Sequence, residues 1–189
     1  MAITREALPF GLRDVKIAPL LADGLPGTLV DLPNAQTLEF TDSEEFTELR
    51  GDDKLVAKRG AGSMVEWSLE SGGISLEAYC IMSGSALVVG GVSPAAYKRA
   101  RKLSTSNRPY FWVEGQSMSD SGGDFHCVLP RVIADDSLEG TLGDGEFWIS
   151  SASGTGLASL SDDPKLLDLV YEFTQNETAV AIAAFVPTP

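Results

Sequence analysis

Residues 37–60 read TLEFTDSEEFTELRGDDKLVAKRG, and this stretch predicts a long β-hairpin. Apolar and polar residues alternate on both sides of its centre, which is typical of half-buried strands. Gly51, Asp52 and Asp53 lie between the two runs and supply turn chemistry, because glycine tolerates positive φ and aspartate bonds its own backbone. Arg50-Gly51-Asp52 is also the tripeptide of cell-adhesion ligands, so an adhesion loop is an alternative interpretation.

The predicted hairpin is strongly acidic. Between Glu39 and Asp53 there are seven acidic residues and one basic residue, a net charge of -6. A polar hairpin of this length cannot bury itself in its own domain. It requires another surface to lie along, or a place where negative charge is useful. The acidic residues are Glu39, Asp42, Glu44, Glu45, Glu48, Asp52 and Asp53.

Further strands and one helix follow the hairpin. Val65, Trp67 and Leu69 alternate with polar residues, and residues 71–84 have helical spacing with Gly84 at the expected end. Asp163-Pro164 begins either a helix or a strand. Later strands are predicted at Tyr110–Gln116, Phe125–Ala134, Glu146–Ala152 and Ala179–Val186, with turns at 121–123 and 143–145. The fold class is therefore mainly β: a β-sandwich or partial barrel with one flanking α-helix.

The first 34 residues form an expected extended N-terminal arm, and residues 35–189 form an expected single domain. Four prolines interrupt the arm, with a short strand predicted at Asp14–Leu20. The arm is rich in Leu, Ile and Val. An apolar arm of this kind is expected to dock on its own domain or on a neighbour.

Composition limits the function classes. The 189 residues include 27 Asp and Glu but 14 Lys and Arg, a net charge of -13, which disfavours general nucleic-acid binding. The two cysteines, Cys80 and Cys127, build no disulfide framework and are expected to be reduced and buried. We see neither a signal peptide nor a run of membrane-spanning length, and expect a soluble cytoplasmic chain.

Catalytic constellations are not evident. The one histidine, His126, precedes Cys127 on a predicted strand, so the two side chains point to opposite faces. Asp124 and His126 could share a face, but two ligands do not make a metal site, and we expect a half-exposed strand histidine. The three tryptophans are expected in the core. We expect no enzyme activity, metal or cofactor. Residues 97–102 form one basic cluster, suited to phosphate or to an acidic neighbour.

Residues 37–60 and the following MVEWSLESGGISLEAYCIMSG (64–84) together resemble the major tail protein, or tail tube protein, of long-tailed phages infecting actinobacteria. The later segments FWISSASG (147–154) and NETAVAI (176–182) also fit the family pattern. The resemblance covers residues 12–186 in outline and is specific across residues 35–84.

The resemblance implies a structural virion protein and a β-sandwich flanked by a helix. Such subunits close into hexameric rings that stack into a tube, and their hairpins join into an inner β-barrel with a negative bore. Double-stranded DNA passes through without specific binding on its way into the host. Implied partners are further copies, the tape measure protein, and the tail terminator and distal tail proteins. The implied location is the virion tail, which is assembled in the host cytoplasm. No membrane partner is implied.

The resemblance also assigns candidate residues. The acids expected to line the lumen are Glu39, Asp42, Glu44 and Glu48, although period two leaves open which face looks inward. The hairpin turn is Gly51, Asp52 and Asp53. Inter-ring contacts are expected from Phe10, Leu12, Val15, Ile17 and Leu20. The alternatives are another virion structural or decoration protein, and an adhesion module built on Arg50-Gly51-Asp52.

Overall fold

The computed structural model describes residues 5–73, 75–140, 143–145 and 147–188. Its sheets are antiparallel, and strands hold 53% of the residues, so the mainly-β prediction is confirmed. The elements are β1 (Pro9–Pro19), β2 (Val30–Asp31), β3 (Ala35–Gly51), β4 (Lys54–Gly72), α1 (Leu76–Ser83), β5 (Ala86–Gly90), β6 (Tyr97–Arg101), β7 (Phe111–Ser119), β8 (Asp124–Ile133), β9 (Leu138–Gly140), β10 (Ile149–Gly156) and β11 (Glu172–Asn176).

Strands β3 and β4 form the predicted hairpin. They pair from Ala35 opposite Ser71 to Gly51 opposite Lys54. The two-residue turn between them takes positive φ at Asp52 (50°) and Asp53 (61°), as a type I′ turn requires. The turn itself is Asp52-Asp53, and these two aspartates, rather than Gly51, adopt the left-handed conformation.

Three register shifts occur in the hairpin: one at its start, between Ala35 and Thr37, where β3 contributes the extra residue, and two closer to the turn. One lies between Glu44 and Glu45 and the other between Leu49 and Arg50. In each case β4 contributes the extra residue, and Gly62 at the first shift has φ 77°. Strand β3 itself alternates without interruption from Thr37 to the turn, so its even-numbered and odd-numbered side chains lie on opposite faces.

The main sheet has the order β2-β1-β7-β8-β10-β4-β3. On the edge of β8 that does not pair with β7, residues 124–128 pair with β11 and residues 132–133 pair with β10. Strand β9 pairs with β10. Strand β10 pairs with β4 only over residues 65–72. The part of the hairpin beyond these residues, 44–63, therefore projects from the sheet, and β5 and β6 form a separate two-stranded sheet.

One core cluster lies between the two halves of the main sheet. Val65, Trp67 and Leu69 of β4 meet Ile17 of β1 and Phe111 of β7. Trp67 and Phe111 pack edge to face, with ring centroids 5.6 Å apart. The alternation seen in the sequence of β4 is thus the alternation between core and surface.

A second cluster covers the opposite face of β1 and β7. Ala18 and Trp112 pack there against Leu166, with Phe185 from the C-terminal segment beside them. Burial of Trp67 and Trp112 confirms the prediction that they belong to the core, whereas Trp148 is only half-buried. Strands β1 and β7 are therefore covered on both faces, but β3, β4 and β10 on one.

The structure places residues 9–19 inside the main sheet, where an N-terminal arm was expected. Strand β1 pairs with β7 along its whole length, and Val15 and Ile17 are fully buried in the chain's own core. Leu12 and Leu20 are half-buried against the core clusters, and Phe10 is 77% exposed. Most apolar residues of this segment are therefore part of the domain's own core.

Helix α1 is shorter than its predicted span because Ser71 and Gly72 end β4. The hydroxyl of Ser75 accepts a hydrogen bond from the Ala78 amide and caps the N-terminus. Gly84 ends the helix with φ 68°, and a Cβ there would lie 2.1 Å from the Asn107 carbonyl oxygen.

Within the described part of the chain, no helix has both the length and the apolarity needed to cross a membrane.

The C-terminal third differs from the sequence prediction. Residues 164–168, where a helix or a strand was predicted to begin, form turns. A strand, β11, follows at Glu172–Asn176. No strand covers the described residues of the 179–186 segment, because the backbone of Val180 bonds to buried side chains of the sheet. The strand predicted at 146–152 lies at Ile149–Gly156, and residue 146 is outside the described residues.

Replacing Ile17 by Ala tests whether the N-terminal segment belongs to the domain. Removal of a fully buried side chain should cost about 2–5 kcal/mol of unfolding free energy, measured by urea denaturation of the monomer. Phe10→Ala is the control and should change stability by less than about 0.5 kcal/mol. Equal, small effects of both substitutions would instead favour an arm that leaves the domain.

Candidate functional site

The exposed face of β3, β4 and β10 is acidic and rich in hydroxyl groups. Because Val65, Trp67 and Leu69 point into the core, Glu66, Ser68 and Glu70 must point outward. Their cross-strand neighbours on β3 and β10 are polar as well. We call this surface the acidic face; its carboxylates belong to Glu39, Glu66, Glu70, Asp135, Asp136 and Glu139, all exposed.

A groove of about 650 Å³ runs along the acidic face. Asp135 borders it and accepts hydrogen bonds from the Thr155 amide (3.0 Å) and hydroxyl (2.6 Å). Asp136 accepts one from the Ser153 hydroxyl at 2.9 Å. On the other side, the Ser68 hydroxyl donates to Glu39 at 3.3 Å. These bonds hold carboxylates along the groove, and no basic side chain lines it.

The structure separates the four acids expected to line the lumen. Glu39 is opposite Ser68 and belongs to the acidic face. Asp42, Glu44 and Glu48 lie on the even-numbered face of β3, which is continuous with the core side of the sheet. Glu48 binds Arg50 at 3.0 Å and approaches Lys58 at 4.0 Å. The four carboxylates therefore do not form one surface.

Sequence reasoning missed most of the acidic face. Glu66 and Glu70 had a signal, since they alternate with the three apolar residues of β4. No local sequence signal places Asp135, Asp136 and Glu139 on this face, because their position depends on the pairing of β9 with β10. Counting charge along the chain selected residues near the turn instead of residues sharing a face.

The Arg50-Gly51-Asp52 tripeptide spans the end of β3 and the start of the turn. Arg50 and Gly51 are paired with Leu55 and Lys54, and only Asp52 lies in the turn itself. The Arg50 guanidinium donates hydrogen bonds to the Glu48 carboxylate. In this structure the tripeptide is part of a tight hairpin end.

A buried polar network lies on the other side of the molecule. His126 Nδ1 is 3.0 Å from Glu114 Oε1, and Nε2 is 3.0 Å from both Asp124 Oδ2 and the Val180 carbonyl oxygen. Asp124 also accepts hydrogen bonds from the Val180 amide and from Gln116. His126 is 7% exposed, so the expectation of a half-exposed histidine is wrong: the C-terminal segment covers it.

The network favours the charged forms of His126 and Asp124. Both nitrogens of His126 face acceptors, and only an imidazolium donates from both. Burial alone would lower the pKa of His126, but the bonds to Glu114 and Asp124 outweigh burial and raise it. Burial would raise the pKa of Asp124, but its hydrogen bonds prevail and lower it to about 2.

The network is structural in character. It attaches the C-terminal segment at Val180 to β7 and β8. Among the described residues, no group of three or more His, Cys, Asp or Glu could hold a metal ion. The thiols of Cys80 and Cys127 are free and buried as predicted, and burial raises the pKa of Cys127 to about 12.

A scan of protein-family models found no match to this sequence, and a search of curated proteins found no relative.

Stability should depend on pH through this network. The raised pKa of His126 means its contribution is complete below the ordinary histidine pKa and is lost as pH rises through the raised value. The lowered pKa of Asp124 means its contribution is complete above pH 3.8 and is lost toward pH 2. We expect the melting temperature to fall as pH rises from about 6 to 9.

His126→Gln should remove this alkaline dependence and lower the melting temperature at pH 6. Because His126 is the only histidine, its titration is separable from others in this range. Glu177→Gln, at an exposed position, is the control and should keep the wild-type profile. A wild-type melting temperature that is constant over this range would contradict the assignment.

Proposed function

We propose that this chain is a structural subunit of a phage tail tube, which assembles into hexameric rings that stack around a negatively charged conduit for DNA. The single observation that carries the proposal is the geometry of the β3–β4 hairpin. It projects beyond the sheet over residues 44–63 and leaves strand edges there for a neighbouring copy. The family resemblance of residues 35–84 supports the same conclusion.

The fold in this proposal is a β-sandwich or partial barrel with a flanking helix. The core cluster supports it, because β1 and β7 from one half of the sheet meet β4 and β10 from the other half. The hairpin then extends from this body to join an inner β-barrel shared between subunits. Unpaired strand edges are templates for another strand, and the projecting hairpin has such edges on both sides.

The acidic face is the surface that we assign to the bore. It carries six exposed carboxylates, and its groove has no basic lining residue. Negative charge on the wall opposes the phosphate contacts that would hold DNA still. At physiological ionic strength such repulsion extends about 8 Å from the wall, so it acts on DNA that nearly fills the bore. Glu39 remains a bore residue, and Glu66 and Glu70 join it.

Stacking of rings is assigned to the exposed start of the chain. Val15 and Ile17 are buried in the core, so the exposed apolar side chains of Leu8 and Phe10 are the ones that we assign to contacts with a neighbouring ring. Other proposed partners are the tape measure, tail terminator and distal tail proteins. The proposed location is the virion tail, after assembly in the host cytoplasm. The role is structural and involves no catalysis or cofactor.

Electron microscopy of the concentrated chain should show rings and hollow tubes. Deletion of residues 1–8 together with Phe10→Ala removes the exposed side chains of Leu8 and Phe10 but keeps the pairing of β1 with β7, and should give rings that do not stack into long tubes. Circular dichroism should show an unchanged fold. Long tubes from the truncated chain would contradict the stacking role, and a full-length chain that stays monomeric would contradict the tail-tube proposal.

Thiol labelling of Glu66→Cys tests the assignment of the acidic face to the bore. The native thiols are buried, so the new cysteine is the reactive one. A small maleimide should label it in monomers and in tubes. A maleimide on a polymer too large for the bore should label monomers alone. Equal labelling of tubes and monomers by the large reagent would place the acidic face outside the bore.

A further inference from the structure

The chain carries one segment whose charge is opposite to that of the whole. Between Glu77 and Glu114 there are five basic residues and no acidic residue, in a protein of net charge -13. This segment contains the β5–β6 hairpin, which forms its own sheet beside helix α1. We call it the basic hairpin. Its bases, together with those just after it, are Lys98, Arg99, Arg101, Lys102 and Arg108.

The two faces of the basic hairpin differ. Lys98 lies on one face and binds Glu77 of α1 at 2.6 Å, which fixes the hairpin to the helix. Tyr97, Arg99 and Arg101 lie on the other face, at alternate positions of β6. The Arg99 guanidinium is 4.1 Å from the centre of the Tyr97 ring, and all three side chains are exposed. This face is therefore a built arrangement of two cations and one aromatic ring.

The even-numbered face of β3 is the matching acidic surface. Asp42 and Glu44 are exposed there, next to Phe46, which is 49% exposed and has the Lys58 ammonium 4.7 Å from its ring centre. The ion pairs found in the described hairpin involve Glu48, with Arg50 and Lys58. The carboxylate of Asp42 accepts a hydrogen bond from Ser63, and no cation lies within ion-pair distance of Asp42 or Glu44 among the described side chains.

We propose that Tyr97, Arg99 and Arg101 of one copy dock on Asp42, Glu44 and Phe46 of a second copy. The inference rests on the proposed function and names the surfaces that join neighbouring subunits. Charge complementarity and an exposed apolar residue on each side support the pairing. Since the two surfaces are different patches of one chain, the contact is head to tail and repeats from subunit to subunit.

The contact also assigns a role to each face of β3. The odd-numbered face, with Glu39, is free for the bore, while the even-numbered face, with Asp42 and Glu44, lies against the neighbour. Burial of these carboxylates against two guanidinium groups leaves none of the four charges unpaired, as an interface requires. Among the described side chains of one subunit, no ion pair joins the basic hairpin to β3.

Charge reversal and its rescue test the contact. One variant carries Arg99→Glu and Arg101→Glu, and the other carries Asp42→Lys and Glu44→Lys. Each variant alone should associate at least about tenfold more weakly than the wild type, because like charges then meet. An equimolar mixture should recover association, since each variant supplies the complement of the other. Sedimentation velocity and electron microscopy measure this.

The control is Asp162→Lys with Glu177→Lys, which makes the same change in net charge as the Asp42→Lys and Glu44→Lys variant, at two exposed acids outside both surfaces. It should associate like the wild type. If both reversal variants form wild-type rings and tubes alone, the proposed contact is wrong and the tail-tube function stands. If the wild type forms no oligomer at low salt, both fail.

Two further outcomes are informative. Recovery by mixing, with oligomers that are not rings or tubes, supports the contact and overturns the tail-tube function. Binding of a DNA duplex to the wild type that is lost in the Arg99→Glu and Arg101→Glu variant, without an effect on self-association, assigns the basic hairpin to a polyanion and overturns the contact.

Discussion

The structure depends on the register of strand β4. Val65, Trp67 and Leu69 supply core contacts, while Glu66 and Glu70 alternate with them and form the acidic face. A slip of one residue would bury two carboxylates and expose a tryptophan, so the core fixes the register strongly. The acidic face is therefore set by the same apolar contacts that hold the two halves of the sheet together. Core stability and surface charge are coupled through one strand.

Local signals were sufficient for the elements that are stabilised locally. The hairpin, its turn and the helix each contain their own alternation, turn residues or capping glycine, and each was predicted near its observed position. Strand β1 was different, because its place between β2 and β7 depends on pairing across about a hundred residues of sequence. The same applies to the C-terminal segment, which is held by Asp124, 56 residues before Val180.

The candidate site was predictable only in part. Acidity of the hairpin was evident, but acidity along a chain does not identify a face. Glu39 and Asp42 are three positions apart, so alternation places them on opposite sides of β3. Asp135 and Asp136 are held at the groove by hydrogen bonds to β10. No local sequence pattern predicts these bonds. His126 is buried because a distant segment covers it.

The two register shifts closer to the hairpin turn have a consequence for its shape. A residue inserted in one strand bends the pair and increases its twist, and both insertions are in β4. Bulges of this kind curve the hairpin. Flat, straight edges pair readily with other chains, whereas a twisted or bulged edge does not. The bulges thus protect a long exposed hairpin from open-ended aggregation.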